Sequence, residues 1–173
     1  MTDIKDLLQR RRSHRRFLAD PVSEADEQLL LRAGLLSPTS KGCRAWHFYV
    51  VRDAARLQAL SACKAHGAEL ISGAQLAIVV ACDPAASECW VEDCSAAAMA
   101  ILLQAEDLGL GACWVQIRGR QRADGTDAEP YVQELLQMPA AQQPLCALAI
   151  GHKADERRPQ NEDKLKWDQV HRL

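Results

Sequence analysis

Aromatic residues are scarce in this chain: two Phe, two Tyr and four Trp among 173 residues. A basic face interleaved with aromatics, as single-stranded nucleic acid needs for stacking, has little to be built from. Basic and acidic residues number 21 and 23, for a net charge of -2 and a pI near 6.2. There is therefore no general attraction to a polyanion, and no nucleic-acid partner is expected. Long apolar runs are missing too. The longest, AAAMAILL from Ala96 to Leu103, is far too short to span a bilayer, and MTDIKDLLQR at the N-terminus lacks the apolar stretch of a signal peptide. The expectation is a soluble, cytoplasmic protein with no membrane partner.

Recognisable catalytic motifs are also absent. The seven cysteines include no CxxC, and the closest pair, Cys89 and Cys94, has no matching second pair. Their odd number, with several in apolar runs, suits packed reduced thiols and no metal site. The five histidines are scattered and form no HExxH; there is no GxxxxGK[ST] and no GxSxG. Gly109-Leu110-Gly111 follows a helix, where a dinucleotide-binding fingerprint needs a strand before it. Cys113 has no base near it in sequence. No side chain is assigned a catalytic role, a pattern that suits a protein whose cofactor does the chemistry.

What is present is a 48% hydrophobic chain, enough for a single domain over residues 1–173 with a substantial core. A short N-terminal helix carries Ile4, Leu7 and Leu8 on one stripe. Pro21 and Ser23 open a second helix, with Ser23 and Asp26 approximating a capping box. Strands are expected at 45–51, 76–82, 112–117 and 145–151. Helices are expected at 53–64, 93–108 and 129–138, the middle one central and ended by Gly109. The mixture lacks strict βαβ alternation, so the fold class is α+β. The tail, 152–173, is polar and has too few apolar residues to fold alone.

Residues 10–17 read RRRSHRRF, five arginines in eight residues of a chain that is acidic overall. The stripe through Leu7 and Leu8 continues to Arg11 and Arg12, so the helix turns its last inward positions over to guanidinium groups. No acidic residue lies between Asp6 and Asp20, so the partner is a distant carboxylate or a bound anion. Ser13 and Arg15 follow at two-residue steps, and Arg11, Ser13 and Arg15 on one side make a phosphate grip.

RRSHRRF at 11–17, SPTSKGCRAWHFYVV at 37–51, WVEDCSAAAMAILLQAEDLGLGACWVQIR at 90–118 and LAIGHKADERRP at 148–159, in that order, resemble the FMN-dependent nitroreductase family over nearly the whole chain. The resemblance implies a nitroreductase-like fold: a central mixed or antiparallel sheet packed with helices, and FMN at the interface of a homodimer. It implies an NAD(P)H oxidoreductase that passes hydride through flavin N5, by ping-pong kinetics, to a nitroaromatic, quinone or related small-molecule acceptor. Arg11, Ser13 and Arg15, with Arg12 in the same run, would hold the FMN phosphate and ribityl chain. Pro38, Thr39 and Ser40, with Lys41 and Gly42 beside them, would approach the flavin from the other subunit. Val115, Gln116 and Ile117 would lay backbone N–H groups beside N5 and O4. Lys164 or Lys166 would complete the phosphate site, and the tail would wrap the partner through Leu165, Trp167 and Val170.

The chain departs from that family in two places. Many members read Asn-x-Gln-Pro-Trp before the aromatic strand, where this chain reads Gly42-Cys43-Arg44-Ala45-Trp46. The Asn amide is gone, and Lys41 or Arg44 stands as a substitute cation near flavin N1 and O2. The link from Cys82 to the central helix is short, which implies an open pocket. A flavin carrier that binds FMN with little turnover is the alternative of a different class. So are surface roles for Lys41, Arg44 and Lys164, and for Arg118, Arg120 and Arg122, which could otherwise meet a 2′-phosphate.

Overall fold

The computed structural model describes residues 3–173. Five helices and four strands follow in the order α1 (Ile4–Arg10), α2 (Glu24–Leu35), β1 (Trp46–Val51), α3 (Ala54–Leu60), β2 (Leu76–Cys82), α4 (Trp90–Asp107), β3 (Leu110–Gln116), α5 (Ala128–Leu135) and β4 (Gln143–His152). The strands lie in the order β1-β2-β4-β3, and every neighbouring pair is antiparallel. Of the two sheet types expected, the antiparallel one is observed. A lone parallel bridge, Ser13 to Ala112, lies outside the named strands.

The two central strands explain their own composition. LAIVVAC in β2 is buried at every position because helices cover both faces of the sheet. Leu76, Ile78, Val80 and Cys82 face one way, into a core shared with Leu30 of α2 and Ala97, Ala98 and Ile101 of α4. Ala77, Val79 and Ala81 face the other, against Leu57 and Leu60 of α3 and Val132 of α5. The alanines of α4 let it lie close on the sheet, and Gly109, at φ 75°, turns the chain out of it into β3. Ser23 caps α2 by accepting from the Asp26 N–H at 3.0 Å. None of the described helices is long and apolar enough to cross a membrane.

Several expectations shift. The helix expected over 53–64 ends at Leu60, and Glu69–Gly73 forms a 3-10 turn that the sequence reading left out. The central helix begins at Trp90, three residues early. The stripe on α1 does not run on into the arginines. Leu7 is buried, while Ile4 and Leu8 are 57% and 50% exposed. The helix stops at Arg10, and Arg11 already has extended backbone, at ψ 119°. The reason is the sheet: the next residues leave the helix to run beside β3, where His14 N–H donates to Ala112 O at 3.0 Å.

The tail turns back along α1. Lys153 still lies in an isolated bridge to Phe17, and Gln160 N–H donates to Gln9 O at 2.8 Å. From Glu156 onward every residue is exposed, Leu165, Trp167 and Val170 among them.

Candidate cofactor site

The extended segment 11–15 lies on the outer edge of β3. Its alternation sorts the side chains. Ser13 bridges Ala112, the chain neighbour of Cys113, and its hydroxyl lies beside the Cys113 thiol. Burial pushes that thiol up; Arg15, the Ser13 contact, Lys64 and Arg11, in that order, pull it back. One buried sulfur on β3 thus lies within electrostatic reach of three cations drawn from two separate stretches of chain. Among the described residues no carboxylate comes within 4.0 Å of Arg11, Arg15 or Lys64. Positive charge gathered without acidic partners is the donor set for a dianion.

Lys64 escaped the sequence reading. The expected helix 53–64 would end on it, whereas it stands in the turn after α3. Ala65 N–H donates to Gln121 O at 2.9 Å, which ties that turn to the loop after β3. With Arg122 Nε donating to Ala62 O at 3.5 Å, this long-range tie brings Lys64 toward the arginines, and nothing local announces it.

His14 points the opposite way from its neighbours and is 3% exposed. Its Nδ1 lies 3.4 Å from Asp155 Oδ1, and neither atom has a well-formed hydrogen bond. Beside them Lys153 pairs with Glu106 at 3.0 Å and Arg157 with Asp155 at 2.9 Å. Burial, then Lys153, lowers the imidazole's affinity for a proton; Asp155 and Glu106 oppose the shift. The packing on this side is tight. A Cβ on Gly111 would come within 2.9 Å of His14 Cβ. His14 therefore fixes the underside of the segment whose other side carries Ser13 and Arg15.

The backbone of β3 narrows the expected N–H donors. Ile117 N–H donates to Leu145 O at 3.1 Å, and Val115 is paired with Ala147 in the same register, so both face β4. By the alternation of an antiparallel ladder, Gln116 N–H faces the outer edge, beyond the Ser13 bridge. Ile117 and Val115 are thus removed as outward backbone donors, and Gln116 remains. Its side chain accepts from Trp114 Nε1 at 2.9 Å and donates to Arg118 O at 3.0 Å.

The loop from Pro38 to Arg44 is elsewhere. Ser40 N–H donates to Asp93 Oδ1 at 2.7 Å, and Ser87 Oγ donates to Asp93 Oδ2 at 2.7 Å. Thr39 Oγ1 accepts from Arg44 N–H at 3.0 Å. Lys41, Gly42 and Arg44 all have φ between 50° and 64°. Lys41 is exposed and 3.8 Å from Glu88. This loop leads into β1, so β2 and β4 separate it from the β3 edge by about 14 Å, three strand spacings. One chain does not bring the two groups together.

Arg12 and Lys164 also fall outside the cluster. The Arg12 guanidinium donates to the Arg158 carbonyl and so anchors the tail. Lys164 is exposed in a 3-10 turn on the tail, and no side-chain hydrogen bond ties it to Arg11, Ser13 or Arg15 among the described residues. Among the described residues, no group of three or more His, Cys, Asp or Glu side chains could hold a metal ion.

Known proteins share this architecture. A family model described as the nitroreductase family matches residues 8–81 and 62–152. A protein of Archaeoglobus fulgidus named "Putative NADH dehydrogenase/NAD(P)H nitroreductase" is 32% identical over 99% of this chain and 98% of its own. A solved FMN-dependent nitroreductase from Clostridium difficile R20291 is 38% identical, with a TM-score of 0.94 over 97% of this chain and 98% of its own. A structure from Desulfovibrio desulfuricans titled "putative nitroreductase in complex with fmn" is 25% identical, with a TM-score of 0.79 over 100% and 98% of the two chains.

Proposed function

The chain belongs to the nitroreductase family, and on that premise we propose that it is an FMN-dependent NAD(P)H oxidoreductase acting on small nitroaromatic, quinone or related acceptors. The observation that carries the reading is that Arg11, Arg15 and Lys64 all lie within electrostatic reach of Cys113 on β3, where Ser13 bridges its neighbour Ala112, beside the outward N–H of Gln116. These residues fit FMN: the cations and the Ser13 hydroxyl suit its phosphate, and Gln116 N–H suits a ring acceptor atom. Bound FMN supplies the centre that accepts hydride and passes electrons on. The chain's part is to hold the phosphate, orient the ring along β3 and donate a backbone hydrogen bond. No side chain has a proton-transfer or covalent role.

A homodimer completes the site. The separation of the Pro38–Gly42 loop from the β3 edge supports a loop donated by a second subunit. The exposed Leu165, Trp167 and Val170 support a tail that lies on the partner. One planar ligand at a time then uses the pocket, so donor and acceptor alternate and the kinetics are ping-pong.

The test is direct. Purified protein should be yellow and release FMN, not FAD, on heating. It should scatter light as a dimer and oxidise NADH or NADPH with parallel double-reciprocal plots across acceptor concentrations. Bound FMN without NAD(P)H oxidation would favour a carrier; absence of flavin would remove the reading.

A further inference from the structure

Three arginines, Arg118, Arg120 and Arg122, follow β3, and the fold treats the first and last differently. Arg122 is already engaged. Its Nη1 donates to Asp124 at 2.9 Å, and its guanidinium lies 4.0 Å from the centre of the Tyr131 ring. Arg118 lies over Trp90, 5.4 Å from the ring centre, and among the described residues no carboxylate stands within 4.0 Å of it.

Its backbone is fixed at both polar atoms. The N–H donates to Leu145 O at 3.0 Å, and the carbonyl accepts from Gln116 Nε2 at 3.0 Å. Gln116 is held in turn by Trp114 Nε1. Arg118 is therefore an exposed cation above an aromatic ring, with no carboxylate or other side-chain partner for its N–H fork among the described residues, in the turn that directly follows β3. It stands two residues after Gln116, in the turn that Arg120 N–H closes by donating to Ile117 O at 3.0 Å.

We propose that Arg118, laid on Trp90, selects an oxyanion on the ligand that exchanges electrons at this site. The inference rests on the function proposed above, and it names what the second ligand carries. A carboxylate on an aromatic acceptor and the ribose phosphate of NADPH share that chemistry, so the test separates them. Arg118 is exposed and Trp90 half-buried against the core, in keeping with access from solvent on the arginine's side.

The holoprotein, Arg118→Gln and Arg118→Lys are each titrated with 4-nitrobenzoate and with its neutral counterpart 4-nitrobenzamide. Quenching of tryptophan fluorescence reports binding with or without flavin, and the ratio of the two constants within one variant cancels a general loss of affinity. The parent should prefer the benzoate about tenfold, equivalent to about 1.4 kcal/mol. Arg118→Gln should bring the ratio near one, and Arg118→Lys should keep part of it. A parallel titration with NADPH and NADH reads the other source. Collapse of that ratio alone in Arg118→Gln assigns the oxyanion to the donor's phosphate. Ratios that Arg118→Gln leaves as in the parent, in both pairs, sink the proposal. Failure of the function reading looks different: it shows in the parent, as absent FMN or as flavin that NADH does not bleach, whatever the Arg118 ratios.

Discussion

The two edges of the sheet carry the two halves of the proposed site, and they are held by different means. On the β3 edge, the segment 11–15 is held by backbone. Ser13 bridges Ala112, His14 N–H reaches Ala112 O, and His14 is buried beneath. At the β1 edge, the loop 39–44 has three residues at left-handed φ, and one buried carboxylate, Asp93, ties it to α4. Asp93, 5% exposed, accepts from Ser40 N–H and Ser87 Oγ and lies 3.6 Å from the Cys43 sulfur. A segment built on a strand tolerates loss of one contact. A loop hung on one buried acceptor does not.

The sharpest way to expose that difference is Asp93→Ala. It leaves the Ser40 N–H and Ser87 hydroxyl without their acceptor in a closed site, at a cost of about 3 kcal/mol. Chemical denaturation should show that loss. Hydrogen exchange at Ser40 should accelerate far more than at His14. Equal acceleration at both would mean that the two edges form one unit.

Charge reversal at the β3 edge should act on the cofactor and much less on the fold. Arg11→Glu replaces attraction to a dianion with repulsion and should weaken FMN binding on the order of a hundredfold, about 2.7 kcal/mol. Lys64→Glu should behave alike, although Lys64 comes from a different part of the chain. Flavin retained on gel filtration, with the affinity from fluorescence titration, measures both. Full retention by Lys64→Glu would take Lys64 out of the phosphate group.

The difference between the edges also decides what could be read without coordinates. Arg11, Ser13 and Arg15 share a side because extended chain alternates, and a two-residue spacing is visible in sequence. The apolar runs of β2 and β4 announce buried strands, and Gly109 announces the end of α4. Lys64 and Asp93 act across the fold, Asp93 on a loop some fifty positions before it in the chain, and no local pattern encodes such pairs. The path of α1 was misjudged for a related reason. A helical stripe extrapolates smoothly, but a bridge to β3 ends the helix at Arg10. The same bridge and its ladder set which N–H groups face outward, so Gln116 could be separated from Val115 and Ile117 only once the register with β4 was known.

A third, smaller effect should appear in acid and should begin at the β3 edge. His14 is held below its ordinary affinity for protons by burial and by Lys153, against Asp155 and Glu106; Arg10, Glu156 and Arg157 line the same small cavity. The unfolded chain, with histidine near 6.5, then binds the proton more readily than the folded one. This contribution is full above about pH 6.5 and is lost as pH falls through the lower folded value. Denaturation at stepped pH should show the parent losing more stability below that point than His14→Asn. Equal losses would assign the acid sensitivity to other groups.

The smallest effect is expected where the β1-edge loop makes its most visible ion pair. Lys41 and Glu88 are 3.8 Å apart, and their side chains are 82% and 89% exposed. Water screens such a pair, and holding two long side chains in one geometry costs entropy, so its net contribution is close to nothing. Glu88→Gln keeps the shape and removes the charge, and it should move Tm by less than about 1 °C, little enough to vanish within a few tenths of a kcal/mol. Asp93→Ala, acting on the same loop, should move it by many times that. If Glu88→Gln instead destabilised the loop comparably, with Ser40 exchanging fast, the anchor would be a surface charge and not the buried carboxylate. Raising the salt concentration separates the two: a surface pair weakens as ionic strength rises, whereas hydrogen bonds to a buried Asp93 are nearly indifferent to it.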